Sequence, residues 1–381
     1  MPPLPKPRNG SDLDIKGRPL PFSFWPVYRE TRRFGLQSTL FALDPWNVIV
    51  ASIRKRCPSA SKPEAEACVE QAQDFYNASR TATLASAQPL LLYYSVMNLV
   101  KAYVLSNGTV SSFNNAQHGI SAQLRMPETE LIDAFLKAFP SPSNNGDRQI
   151  FDDFNCALGG NSICPPSHSY DLPRLMPQIV AGHRLWCDAA DENERFVAID
   201  RIIIKHHATR KELWINLYVF ADDLSRFGIT HYRFLEESRL NGIFHEVKTS
   251  LKVAKRKLIR FEQIATISYS SRPSDSLQTL VDTLQGYLWA TVMGGSPYRR
   301  YYAYLAPTSE HADVLPQLLS IYAIIYYLGS ITRYRPHHFD AILDGKYGAW
   351  VREFIIGQPD QFIYLLASSF AQQEVTKPSI V

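Results

Sequence analysis

Residues 88–108, QPLLLYYSVMNLVKAYVLSNG, constrain this chain more than any other stretch. Pro89 suits a first helical turn, and Asn107-Gly108 supplies a left-handed stop. Between them apolar side chains run almost all the way round, so the helix belongs at the centre of a bundle rather than on one face. Tyr93, Tyr94, Asn98 and Lys101 interrupt that surface. They read as one edge of the helix, lining a groove or meeting a partner. Tyrosines there pack between helices and turn their hydroxyls outward, while a lysine stem lies along the bundle and its ammonium reaches water. A second segment, LPQLLSIYAIIYYLGSI at 315–331, has the same character. The expectation is that the two lie side by side in one core.

Punctuation marks further helices. Asp44-Pro45 opens one at 45–57, and Ser61 with Pro63, Glu64 and Glu66 opens another at 61–80. Residues 109–170 are rich in turns, with one short helix expected at about 127–138, and 171–182 suggest another. The character then changes. RFVAIDRIIIKH and KELWINLYVFA alternate β-branched and aromatic residues around HATRK, the pattern of a β-hairpin. LKVAKRKL, at 251–258, is compatible with either strand or helix. Helical character returns near 275, and RYRP breaks the chain after the second apolar segment.

A sequence of 381 residues, 45% hydrophobic and 20% charged, is long enough for two or three domains, or for one with a large insertion. The expected organisation is a flexible proline-rich arm (1–22), an N-terminal helical part (23–185), a β-rich insert (186–272) and a C-terminal helical part (273–381). The expected class is α+β, mainly α: a helical bundle built from both ends of the chain with a β-containing insert in the middle.

A net charge of +4 is too small to demand a nucleic-acid partner by itself. Five cysteines without a CxxC pair argue against a disulfide framework or structural zinc and fit a reducing cytoplasm. Cys156, Cys164 and His168 are too loosely spaced for a metal site, and Asp200 with His206-His207 lacks a third ligand. No signal-like apolar stretch opens the chain, and no membrane span is expected. The missing GxSxG elbow disfavours a serine hydrolase, and with no phosphate-binding glycine loop and no metal-ligand spacing, neither a metal nor a cofactor is expected.

SAQPLLLYYSVMNLVKAYVL, followed by QHGIS, RYRP and QFIYLL, resembles the YaaC-like family of bacterial proteins over most of the chain. YYSVMNLVKAYVLSNG with the His118-Gly119 turn is more distantly similar to HEPN domains, helical bundles of prokaryotic toxins and defence proteins. That second resemblance implies a metal-independent endoribonuclease, a homodimer, RNA or another nucleic acid as partner, and a role in stress or antiphage defence. The other reading is a non-catalytic subunit that holds a protein or nucleic acid within a larger complex.

Catalytic HEPN proteins use an R-x4–6-H pair. Imidazole accepts a proton near neutral pH, and guanidinium binds phosphate. Five pairs have that spacing: Arg201–His206, Arg201–His207, Arg226–His231, Arg239–His245 and Arg333–His338. Only the last falls between two expected helices, which makes Arg333, His338 and the adjacent His337 the catalytic candidates. Tyr334 stands where the pattern usually has a polar residue, and Pro336 lies inside the motif. The competing reading of RYRP is a helix-breaking turn in which Arg333 caps carbonyls. Arg335, Lys255, Arg256, Lys257, Arg299 and Arg300 are candidates for phosphate contact, each also explicable as a solvated or packed position. His118 is a groove candidate or simply a turn residue.

Overall fold

Asp44 accepts a hydrogen bond from the Trp46 amide at 3.0 Å, and the first helix starts at Pro45 behind that cap. The computed structural model describes residues 3–15, 17–27, 39–82, 85–124 and 133–379. The described helices are α1 (Pro45–Arg56), α2 (Lys62–Thr81), α3 (Gln88–Ser106), α4 (Ile150–Ala157), α5 (Leu172–Leu175), α6 (His183–Ala190), α7 (Ala221–Arg226), α8 (His231–Glu237), α9 (Leu277–Asp282), α10 (Gln317–Tyr334), α11 (Pro336–Asp344) and α12 (Gly348–Ala371). The chain divides into two compact units. A helical unit comprises Ala42–Glu192 and Ala312–Ala371, and a sheet unit comprises Met1–Phe41, Asn193–His311 and Gln372–Val381.

In the helical unit α3 packs between α2 and α10. Its apolar circumference requires neighbours on several sides. Val96, Leu99, Val100, Val104 and Leu105 are buried there, as are Leu319, Ile321, Ile324 and Leu328 of α10. Gly329 permits the close approach of α10. A Cβ at that position would lie 2.8 Å from the Tyr93 Cβ and 3.1 Å from the Pro89 carbonyl oxygen. Ser95 donates to the Ala72 carbonyl at 2.7 Å and ties α3 to α2. The Ser61 hydroxyl, expected to cap α2, donates instead to the Ser111 carbonyl at 3.0 Å. α12 continues through Pro359, and Tyr364 at its far end donates to the carbonyls of Ala42 and Leu43.

The segment between α3 and α6 is organised by a buried carboxylate. Asp152 of α4 accepts from the Ser141 amide, the Ser162 hydroxyl and the Ile163 amide at 2.7–2.8 Å. Beside it Ile120–Leu124, Ala134–Ala138 and His168–Asp171 form a small antiparallel sheet. Part of the helix expected at 127–138 therefore proves to be a strand, and residues 125–132 lie outside the described set. Ala, Phe, Leu and Lys suit either state, and pairing with both neighbouring strands decides it.

The sheet unit has two larger antiparallel sheets. One runs in the order Ser11–Asp12, Arg201–His207, Glu212–Phe220, Arg256–Gln263, Phe244–Val247, with Lys252–Val253 and Ile267–Ser268 paired at its margins. The other places Arg299–Tyr304 between Phe196–Ile199 and Leu288–Val292. Leu213, Ile215, Leu217, Val219, Phe234, Phe261 and Leu280 are among the residues of its core. The hairpin around HATRK is present, whereas Phe196–Ile199 leaves it to pair with Tyr301–Tyr304. LKVAKRKL forms a tight hairpin with Ala254 and Lys255 at positive φ.

The expected mainly helical class is corrected by these sheets. Nineteen strands are present among the described residues, and the sheet unit has a β core of its own, so the molecule is mixed α and β. The error lay in two places. Within residues 273–381, expected as the C-terminal helical part, Leu288–Val292 and Arg299–Tyr304 are strands. The proline-rich beginning is also engaged. Ser11 and Asp12 pair with His206 and Lys205, Leu13, Leu20 and Phe22 enter the core, and Arg8 Nη1 donates to the Gln263 carbonyl at 2.5 Å.

Candidate functional site

Tyr93, in the first half of α3, is 4% exposed. Its ring lies parallel to Tyr322 at 6.4 Å and edge-on to Tyr326 at 5.3 Å. Both partners project from α10, which Gly329 allows to come close. The Tyr93 hydroxyl lies 2.5 Å from Nδ1 of His118 and 3.4 Å from Sδ of Met97. Burial, followed by the neighbouring tyrosines, raises the Tyr93 pKa far above the ordinary phenol value, so the hydroxyl keeps its proton.

His118 itself is exposed to solvent on the turn before the small sheet. Gly119 makes that turn with φ +74, and a Cβ there would press to 3.0 Å on Gln149 and Phe151. The His118 pKa is lowered, first by burial of its Tyr93 side and then by the charges of Arg333 and Lys101. The imidazole is neutral at physiological pH. One residue along α3, Tyr94 packs on Phe75 and accepts a hydrogen bond from Arg333 Nη1 at 3.2 Å. Arg333 is exposed on the last turn of α10, with its guanidinium 5.0 Å from the exposed Tyr334 ring. Among the described residues no carboxylate pairs with Arg333 or with the half-buried Lys101. Tyr93, Tyr94, His118 and Arg333 thus form one cationic, aromatic cluster within the helical unit, and the charge of Lys101 acts on its histidine.

The other groove candidate points elsewhere. Asn98 is buried, and its amide donates to Gln71 of α2 at 3.4 Å. His337 and His338 open α11, their rings edge to face at 4.3 Å. The His338 amide donates to the Arg335 carbonyl at 2.9 Å, while Nδ1 of its ring is enclosed without a hydrogen-bond partner. Among the described residues no hydrogen bond or ring contact joins Arg333 to His338. Arg335, exposed, links α10 to α11.

The remaining basic candidates belong to the sheet unit. Lys255 occupies the hairpin tip, and Lys257 and Arg300 are exposed on strands. Arg256 bonds to Asp222 and Asp223 and lies 3.8 Å from the Phe220 ring centroid, so two carboxylates already compensate its charge. Arg299 is buried, 3.2 Å from Glu374, and donates to the Val375 carbonyl at 2.8 Å. A phosphate would have to displace Glu374 to reach it.

Sequence reasoning missed Tyr322, Tyr326 and Gly329. The spacing Tyr322-x3-Tyr326-x2-Gly329 puts all three on one helical face, a signal available once α3 is taken as the partner. It also missed a buried carboxylate, Asp313, which accepts from Arg174 Nη1 at 2.7 Å and meets His168 Nε2 at 3.2 Å. Among the described residues no group of three or more His, Cys, Asp or Glu is arranged to hold a metal, and no helix is long and apolar enough to cross a membrane.

The family model described as YaaC-like protein matches residues 39–370. The chain belongs to the YaaC-like family. Neither a curated protein nor a solved structure gives a match. The span shared with the YaaC-like family includes α1 to α11, all but the last residue of α12, and the whole Tyr93–His118–Arg333 cluster. It excludes the Ser11–Asp12 strand and the Val375–Thr376 strand that complete the sheet unit of this YaaC-like chain.

Proposed function

We propose that this YaaC-like protein binds single-stranded RNA through its phosphates at the end of the helical unit where α3, α10 and α11 meet. The observation that carries the reading is Arg333. It is exposed, held in place by the Tyr94 hydroxyl, and free of any carboxylate partner among the described residues. Lys101 adds to the positive field, and neutral His118 offers a polar ring beside it. Tyr334, 68% exposed next to Arg333, supplies a face on which an unpaired base stacks. The likeness of α3 and the His118-Gly119 turn to HEPN bundles supports RNA as the polymer.

A second reading, metal-independent cleavage, is favoured by one further observation. His337 and His338 stand at the start of the helix that follows Arg333, and the ring of His337 is exposed. One experiment separates the two. Labelled single-stranded RNA is titrated with the full chain in EDTA at two salt concentrations, and the RNA is then run on a denaturing gel. Arg333→Ala is expected to weaken binding about tenfold and to flatten the salt dependence by about one phosphate contact. Intact RNA establishes binding alone. Fragments that vanish in both Arg333→Ala and His338→Ala establish cleavage. Equal affinity of wild type and Arg333→Ala, with the RNA intact in both, would refute both readings.

A further inference from the structure

The Tyr93 hydroxyl carries one proton and faces two acceptors, Nδ1 of His118 at 2.5 Å and Sδ of Met97 at 3.4 Å, beside the buried hydroxyl of Tyr322. An imidazole nitrogen accepts far more strongly than a thioether. With O–H directed at Nδ1, the proton of the neutral ring must sit on Nε2. The opposite arrangement has Nδ1–H donating to the phenol oxygen and O–H turned to sulfur. It replaces an O–H···N bond, which joins the stronger donor to the stronger acceptor, by an N–H···O bond to a weakly accepting phenol oxygen, and the O–H···S contact that it adds is weak. Tyr93 cannot swing away, because Tyr322, Tyr326 and the backbone at Gly329 enclose its ring. His118 Nε2 has no hydrogen-bond partner among the described residues, and the residue is exposed.

We infer that Tyr93 is a positioning residue that locks His118 as the Nε2–H tautomer, so that the ring presents a hydrogen-bond donor to a phosphate oxygen while Arg333 supplies the charge. The inference rests on the RNA-binding reading and deepens it. It makes the resting His118 a recognition group for an anion rather than an acceptor of the ribose 2′-hydroxyl proton.

The test is the ring itself. Nitrogen-15 and carbon-13 shifts of the His118 imidazole are recorded on the full chain near neutral pH, with the signals assigned by their loss in His118→Gln. The wild type is expected to show a pyrrole-type Nε2 and a pyridine-type Nδ1. Tyr93→Phe is expected to release the ring into a mixture of tautomers and to weaken RNA binding about fivefold, the worth of one hydrogen bond. Met97→Leu is expected to change neither. A wild-type ring protonated on Nδ1 overturns the inference, and that measurement needs no variant. A Tyr93→Phe spectrum identical to wild type overturns it as well. If the tautomer behaves as expected and wild-type protein binds no RNA, the binding reading falls and the hold of Tyr93 on the ring stands.

Discussion

His118 shows how burial and charge act on one side chain. Its Tyr93 side is shielded, and Arg333 and Lys101 are both cationic, so every influence works against protonation. The unfolded chain has none of these and takes up the proton near pH 6.5. The folded pKa lies lower. As pH falls through the interval between the two values, the unfolded state therefore binds more protons and stability declines. Above about pH 6.5 the penalty is missing. We expect the melting temperature of the wild type to drop more steeply between about pH 7 and 5 than that of His118→Gln, which lacks the titrating ring. Parallel curves for the two proteins would show that the imidazole is not held neutral. The same residue illustrates what sequence alone discloses. Its place before Gly119 marks a turn, and no local pattern reveals that a tyrosine 25 positions earlier meets its ring.

Among the elements, the pairing of α3 with α10 sets the geometry of the cluster, and Gly329 is its tightest point. Replacement by alanine brings two opposed effects. Helix propensity favours alanine by about 1 kcal/mol. The added methyl would lie 2.8 Å from the Tyr93 Cβ, on the rigid part of both side chains, and such overpacking costs about 1–3 kcal/mol. The second effect is the larger, so Gly329→Ala is expected to lower stability by about 1 kcal/mol in urea unfolding and to disturb the Tyr93–His118 bond. A more stable variant would mean that the helices separate without loss.

The helices α1, α2, α3 and α10 were legible because their signals are local: a proline in the first turn, an apolar circumference and a left-handed stop. The strands at Ala134–Ala138 and Leu288–Tyr304 were not, since residues such as Ala, Leu, Tyr and Arg acquire strand geometry there from partners distant in sequence. The polar edge of α3 was likewise visible, whereas its meeting with Arg333 spans 239 positions and is a product of helix packing. Asn98 shows the limit of edge reasoning. Its spacing from Tyr94 places it on the same stripe, yet the position of α2 turns its amide to Gln71.

On the scale of the whole molecule, neither unit is continuous in the chain. The sheet unit begins with Met1–Phe41, resumes at Asn193–His311 and takes its last piece from Gln372–Val381. That last piece pairs Val375 and Thr376 in parallel with Leu40 and Phe41, and brings Glu374 to the buried guanidinium of Arg299. Removing one member of a buried ion pair leaves the other uncompensated at a cost of about 3–5 kcal/mol. Glu374→Ala is therefore expected to destabilise the sheet unit by that amount in denaturant titration, and Arg299→Ala by a similar one. The double replacement should cost less than the sum. Additive losses would show that the two side chains act independently.

The late arrival of the Val375–Thr376 strand has a bearing on biosynthesis. A ribosome releases the first strands of the sheet unit more than three hundred residues before the segment that closes it. The Leu40–Phe41 edge waits more than three hundred residues for its partner, Arg299 waits 75 residues for Glu374, and the helical unit lacks α10 and α12 until residues 317–371 have been made. A nascent chain stalled short of Glu374 would hold the sheet unit unfinished, so that unit closes only once residues 372–376 have emerged.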